Sequence, residues 1–281
     1  MDQDVRTGAA PEVRTLRKST LTVDGPVACL EMTDVASRNA ISQEMKDDLQ
    51  EVVRLASAGD AWRALVITGS PGVFCAGGDL KDLTSRRHAD GTPVRDVEGI
   101  RRRMSRSHAW FERLYNLEIP VIAAVDGPAF GAGFSLALAC DFRVAVSSAK
   151  FTMAFTKVGL AGDYGATWFL TQLVGAGRAR ELLMLAPLLG AADAHALGLV
   201  NRVWAPESFA AESAAFVAAL AKGPTIALGY VKHNVNAAAS TDLRTSFDVE
   251  ATNQALCQAT ADHKEAARAF VEKRVPNFSA T

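Results

Sequence analysis

The chain has 281 residues, 49% of them hydrophobic, and carries 30 basic against 31 acidic side chains for a formal charge of −1. It is long and apolar enough to bury a large core, as one domain or as one domain with a smaller appendage. The balanced charge gives no electrostatic basis for nucleic acid or an anionic membrane as main partner.

No run approaches the roughly 18 consecutive apolar residues of a membrane span, and MDQDVRTGAAPEVR lacks the apolar centre of a signal peptide, so the reading is cytoplasmic with no membrane partner. Cys29, Cys75, Cys140 and Cys257 form no Cys-x-x-Cys pair and have no histidine at ligand spacing. They read as reduced, mostly buried thiols, with no metal site.

Residues 1–15, polar and small, read as a disordered lead-in. Thr20 to Met32 holds two β-rich runs around Asp24-Gly25-Pro26, a hairpin signature, followed by a loop at Thr33 to Asn39. Ser42 caps a helix in which Met45, Leu49, Val52, Val53 and Ala56 share one face, ended by Gly59. Ala64 to Thr68 is a continuous apolar run, expected as a strand buried on both faces, and leads into the glycine-rich turn GSPGVFCAGGDL. Lys81 to Arg103 is rich in arginine and reads as a mobile surface loop entering a helix that runs from about Val97 to Leu117.

Ile119 to Asp141, IPVIAAVDGPAFGAGFSLALACD, reads as strand, glycine-punctuated turn and a small-residue helix opening near Gly133. Such a helix start aims unpaired N–H groups and the positive dipole end at whatever lies before it, which favours an anion or a developing oxyanion. Gly131 and Gly133 let backbone approach that ligand closely. Phe142 to Val146 is a strand, Gly165 to Val174 helical up to Gly175, Arg178 to Met184 and Ala191 to Leu197 short helices, and Val200 to Val203 a strand. Beyond residue 205 the pattern is helical only, over Pro206 to Lys222, Thr225 to Asn236 and Thr241 to Val271.

Three blocks then carry a family likeness: FCAGGDL at 74–80, IPVIAAVDGPAFGAGFSLALACDFRVA at 119–145 and GLAGDYGATWFLTQLVGAGRARELL at 159–183, with FVEKRVPNF at 270–278 closing the chain. The sequence resembles the enoyl-CoA hydratase/isomerase, or crotonase, superfamily over roughly residues 20–278. The resemblance implies an α/β fold, a spiral of ββα repeats over residues 16–205 with the acyl-CoA site, and a helical trimerisation region over 206–281. It implies a homotrimer or dimer of trimers acting on an acyl-CoA, with coenzyme A part of the substrate and no cofactor. The backbone N–H groups of Gly78 and Ala132 would form the thioester oxyanion hole, although the family usually has glycine where this chain has Ala132. Arg38 and Ala40, in a loop resembling the family's CoA-binding loop, and Phe74, Ala76, Gly77 and Gly131 of the two turns would contact the substrate. Arg38 is the expected phosphate partner, and Lys273, from a neighbouring subunit, a second basic contact.

The family's hydratases place two glutamates around the substrate; here those positions hold Ser135 and Phe155. Neither serves as a general base near neutral pH. Asp163 matches a carboxylate used by dienoyl-CoA isomerases, single-aspartate isomerases and dehalogenases of the family, and is expected at the start of the helix opening near Gly165. Asp163 can serve a 1,3-proton shuttle or simply cap its helix. Tyr164, Trp168, Phe155, Phe134 and the helix around His108 to Phe111 are candidates for the acyl pocket, although aromatics are by default core. His88 and His108 are candidates for assisting acid–base groups, although lone histidines are commonly structural or exposed. Double-bond isomerisation by Asp163 is the preferred reading. The alternatives are 2-enoyl-CoA hydration through a water held by Asp163 and Ser135, and an acyl-CoA-binding protein without catalysis.

Overall fold

The computed structural model describes residues 10–59, 61–70, 72–79 and 96–281. Its body is a seven-stranded sheet made of β1 (Glu12–Thr15), β2 (Ser19–Asp24), β3 (Val27–Met32), β4 (Ala64–Gly69), β5 (Val121–Val125), β7 (Phe142–Val146) and β10 (Arg202–Trp204), in that spatial order. The hairpin β2–β3 turns at Gly25, with Leu21 opposite Leu30, and β1 pairs antiparallel with β2. Residues 12–15 are therefore a strand, whereas the sequence reads as lead-in through residue 15; the sheet edge supplies hydrogen bonds that local composition does not reveal. From β3 onward the pairings are parallel, and every residue of β5 is buried, as expected for a strand covered on both faces. A second sheet joins β6 (Ala129–Phe130), β8 (Lys150–Thr152) and β9 (Leu189–Gly190).

Helix α1 (Gln43–Ala58) is capped by Ser42, whose side chain accepts the Met45 N–H, and buries the predicted face on the core. Helix α2 (Val97–Tyr115) buries Trp110, Phe111 and Leu114. Helix α3 (Ala132–Ala139) is buried along its whole length, consistent with its lack of a polar face. In α4 (Ala166–Leu185) the backbone leaves helical geometry at Gly175 (φ 72°, ψ 161°), the glycine at which the sequence ends one helix and begins another. Helix α5 (Ala191–Ala196) precedes β10.

The tail is α6 (Pro206–Ala221), α7 (Thr225–Ala238), α8 (Leu243–Ala259) and α9 (Ala261–Glu272). The expected long helix from Thr241 to Val271 is two helices, because Thr260 is extended (φ −69°, ψ 155°) and its hydroxyl accepts the His263 N–H to cap α9. The tail docks on the body through Lys232 of α7, whose ammonium lies 2.9 Å from Asp141 in the turn between α3 and β7. No single described helix is long and apolar enough to cross a membrane. All four cysteines are free, and burial pushes the Cys75 and Cys140 thiols up to about 12.

Candidate active site

Two glycine-rich turns meet at the carboxyl ends of β4 and β5. Cys75 pairs with Ala129 in a parallel bridge: the Cys75 N–H donates to the Pro128 carbonyl at 3.1 Å, and the Phe130 N–H to the Cys75 carbonyl at 2.9 Å. The approach leaves no room for side chains. A methyl on Gly133 would lie 2.5 Å from the Cys75 carbonyl oxygen, so only glycine lets α3 rest on this turn. Gly77, at φ +105°, faces the Phe130 carbonyl at 2.8 Å from where its Cβ would be, and that same point is 3.7 Å from the Ala132 nitrogen.

The Gly77 N–H is engaged by Cys75 Sγ at 3.4 Å. Among the described residues, the next amide, that of Gly78, donates to no protein acceptor, and neither does the amide of Ala132. Ala132 is the first residue of α3, a position whose N–H has no intrahelical partner. The positive φ required by the turn falls on Gly131 (φ 49°), one residue earlier, so the Ala132 methyl is accommodated without strain. Two free backbone donors on adjoining turns, one at the positive end of a buried helix, can stabilise an oxyanion.

A third loop is fastened to the first turn by backbone bonds. The Ala76 N–H donates to the Arg38 carbonyl at 3.0 Å and the Ile41 N–H to the Gly77 carbonyl at 2.7 Å. Buried Asn39 (φ 58°) donates from Nδ2 to the Ser70 and Val73 carbonyls at 3.1 and 2.8 Å. Ala40 is buried beside it, and the Arg38 side chain is left exposed at the rim.

Asp163 stands before α4. Its Oδ1 lies 2.5 Å from His108 Nε2 on α2 and accepts the Tyr164 N–H at 2.8 Å. The helix begins after Gly165 and receives no side-chain cap, so the carboxylate is not spent on capping. The Asp163 carbonyl accepts the Ala166 N–H at 3.2 Å and the Ser135 hydroxyl at 3.1 Å. Tyr164 is held at φ 52°, a conformation that costs a non-glycine residue about 1–3 kcal/mol and is characteristic of functional sites. Its ring stacks on Phe111 with centroids 4.6 Å apart and meets His108 edge-on at 5.8 Å. Burial and the neighbouring Asp163 charge raise the Tyr164 hydroxyl above its ordinary pKa, so it remains a neutral phenol.

The remaining residues singled out in the sequence lie as follows. Ser135 is wholly buried, its hydroxyl directed at the Gly131 and Asp163 carbonyls, so it holds the site together instead of facing substrate or a water. The Phe74 side chain is core, which leaves only its backbone for the turn, and Phe134 packs on Phe151 at 5.1 Å within the core. Phe155 is nearly buried with its ring tip 4.0 Å from where a Cβ on Gly131 would lie, beside the second glycine turn. Lys273 ends α9 in an exposed position (φ 55°) and makes no hydrogen bond or ion pair with these groups among the described residues. His88 and most of the arginine-rich loop lie outside the described residues.

Behind His108, a cleft of about 540 Å³ separates α2 and α4 from α7. His108 and Glu112 of α2 and its C-cap Asn116 line it on one side, Tyr115 and Trp168 form an aromatic wall, and His233 and Asn236 close it from α7. The pairing of His108 with Asp163, 55 residues apart, is a contact that sequence reasoning missed; no periodicity links the two positions.

The family profile for enoyl-CoA hydratase/isomerase matches residues 22–281. The chain is 38% identical to the 1,2-epoxyphenylacetyl-CoA isomerase of Escherichia coli (strain K12), over 86% of its own length and 90% of that protein. Among solved structures it superposes on an enoyl-CoA hydratase from Polaromonas sp. JS666 with TM-score 0.85 and 34% identity, covering 93% of this chain and 99% of that one. It superposes on a protein from Thermobifida fusca YX solved in complex with CoA with TM-score 0.78 and 35% identity, covering 86% and 93%. The likeness extends over the α/β body and the helical tail together, which is the crotonase architecture. This chain belongs to the enoyl-CoA hydratase/isomerase family and is an enzyme that processes acyl-CoA thioesters.

Proposed function

We propose that this enzyme moves a double bond along the acyl chain of a CoA thioester by a 1,3-proton shuttle on Asp163. The observation that carries the reading is the Ser135 hydroxyl. At a position where the family's hydratases hold a glutamate, it is bound to the carbonyl of Asp163, so the neighbouring carboxylate available for proton transfer is that of Asp163 itself. The thioester oxygen sits between the Gly78 and Ala132 amides, which strengthen their hydrogen bonds as negative charge grows on it. Loss of one such donor costs about 10²–10³ in rate. Asp163 removes a hydron from one carbon, the dienolate is held by the two amides, and the same carboxyl protonates the chain two carbons away.

Coenzyme A binds along the stapled loop and turn, with Arg38 on its phosphates, Ala40, Ala76, Gly77 and Gly131 against the pantetheine arm, and the backbone of Phe74 beneath it. Phe155 and Tyr164 border the acyl group. The protein acts in the cytoplasm as a homotrimer or a dimer of trimers, with Lys273 of a neighbouring subunit as a further basic contact. Exposed Val231, Val235, Leu243, Phe247, Phe270 and Val271 on the tail support association, and the four free thiols suit a reducing compartment.

The test is incubation with a panel of enoyl- and dienoyl-CoA thioesters in heavy water, with products read by mass spectrometry. Isomerisation leaves composition unchanged apart from deuterium, whereas hydration adds the elements of water. Asp163→Asn should lose at least about 10² in turnover while still binding acyl-CoA. Unchanged turnover in that variant would refute the assignment, and hydrated product from the wild type would move it to 2-enoyl-CoA hydration.

A further inference from the structure

The lining of the cleft behind His108 includes neither the Gly78 nor the Ala132 amide nor Asp163, whereas His108 both lines it and touches the Asp163 carboxylate. His108 spans the gap: Nε2 is 2.5 Å from Asp163 Oδ1, the Asp163 side chain is 21% exposed, and the His108 side chain is 49% exposed. Along α2 and its C-cap, His108, Glu112 and Asn116 line the cleft at a spacing of four that puts them on one stripe. Asn236 of α7 continues that stripe, donating from Nδ2 to Asn116 Oδ1 at 3.2 Å, and His233 faces the same space. Polar side chains thus run from His108 along this cleft, whose lining includes the Tyr164 that borders the proposed acyl site.

We propose, resting on the isomerase reading, that His108 is a positioning residue that relays the hydron held by Asp163 to water in this cleft during the lifetime of the dienolate. Asp163 takes a hydron from the acyl carbon, and the C–H electron pair enters the thioester enolate. The carboxylic O–H hydron passes to Nε2 of His108, leaving a carboxylate and an imidazolium. When the half-exposed ring parts from Asp163, its Nε2 hydron is lost to cleft water and a solvent hydron replaces it at that nitrogen; this one returns to Asp163, which protonates the new carbon as the enolate pair forms the C–H bond. No net proton is consumed and no other reactant is needed. A carboxylate sealed from water by its substrate returns the hydron it removed; this one returns a hydron from solvent.

The experiment measures label per turnover. Substrate deuterated at the carbon that loses its hydron is converted in ordinary water, and product is scored for deuterium retained at the carbon that gains one. The wild type should lose most of the label. His108→Gln keeps an N–H toward Asp163 Oδ1 but cannot carry a proton, and should convert the substrate more slowly with the label retained. Glu112→Gln, which leaves the His108 contact intact, reports whether the stripe contributes, and increased retention supports the route. Equal washout in wild type and His108→Gln, or full retention in the wild type, overturns the relay while leaving the isomerase reading standing. Absence of any turnover by the wild type across the thioester panel overturns both.

Discussion

Replacing Lys232 by methionine tests the joint between body and tail. Lys232 Nζ lies 2.9 Å from Asp141 Oδ2 and 3.4 Å from the Ile119 carbonyl, with the two side chains only 8% and 18% exposed. Asp141 Oδ2 also accepts the Val121 N–H at 2.7 Å, so the carboxylate is fixed at the start of β5 and cannot turn to water when its partner goes. Removing one member of a buried pair costs about 3–5 kcal/mol, and the residual exposure of Asp141 puts the expected loss near the lower end, about 3 kcal/mol at neutral pH. Burial already raises the Asp141 pKa above the usual carboxylate value, with the Lys232 charge the chief opposing influence.

The stability contribution of a group raised in this way is complete below the ordinary carboxylate pKa and is lost as pH rises through the folded value. Without Lys232 the folded value climbs further, so the deficit of the variant should be large at neutral pH and shrink as Asp141 takes up its proton. Urea unfolding of both proteins at equal concentration, at about pH 7 and about pH 4.5, reads the difference. Combining Lys232→Met with Asp141→Asn should restore part of the loss. A deficit under about 1 kcal/mol, or one equal at both pH values, refutes the joint as described.

Two further changes probe the proposed oxyanion turns. Ala132→Pro removes one N–H at the first helical position, where proline is tolerated and where the preceding glycine adds no Cβ clash; kcat/KM should fall about 10²–10³ with the thermal midpoint little changed, and a value within tenfold of wild type would remove Ala132 from the hole. Gly133→Ala pushes a methyl against the Cys75 carbonyl and should cost about 1–3 kcal/mol in stability together with activity, measured by denaturation and turnover; a neutral effect would contradict the close stacking of α3 on the first turn.

The parts of the molecule written in local chemistry were readable before its folding was known. The cap at Ser42, the hairpin at Gly25, the break at Gly175 and both glycine turns each depend on neighbours within a few positions. What escaped depends on packing. Strand β1 exists because β2 offers it an edge, and Thr260 breaks a helix-compatible run because its extended backbone ends α8 and caps α9. Ser135 was visible as the absence of a carboxylate, but its hydroxyl bond to Asp163, 28 residues away, appears only when α3 and α4 are packed. His108 looked like any solvent-facing histidine on a charged helix until α2 laid it against Asp163.

The Ser135 bond has a stereochemical consequence for the proposed reaction. One hydroxyl, on the helix whose first amide is the proposed thioester donor, points to the carbonyls of Gly131 at 3.3 Å and Asp163 at 3.1 Å. If the enolate is held at the Gly131 turn and Asp163 is the base, as proposed, this link ties the two together, so the base would visit only one face of the enolate plane. Departure and return of hydrogen are then suprafacial, and the newly formed C–H bond carries its isotope in a single configuration whether the hydrogen comes from substrate or from solvent.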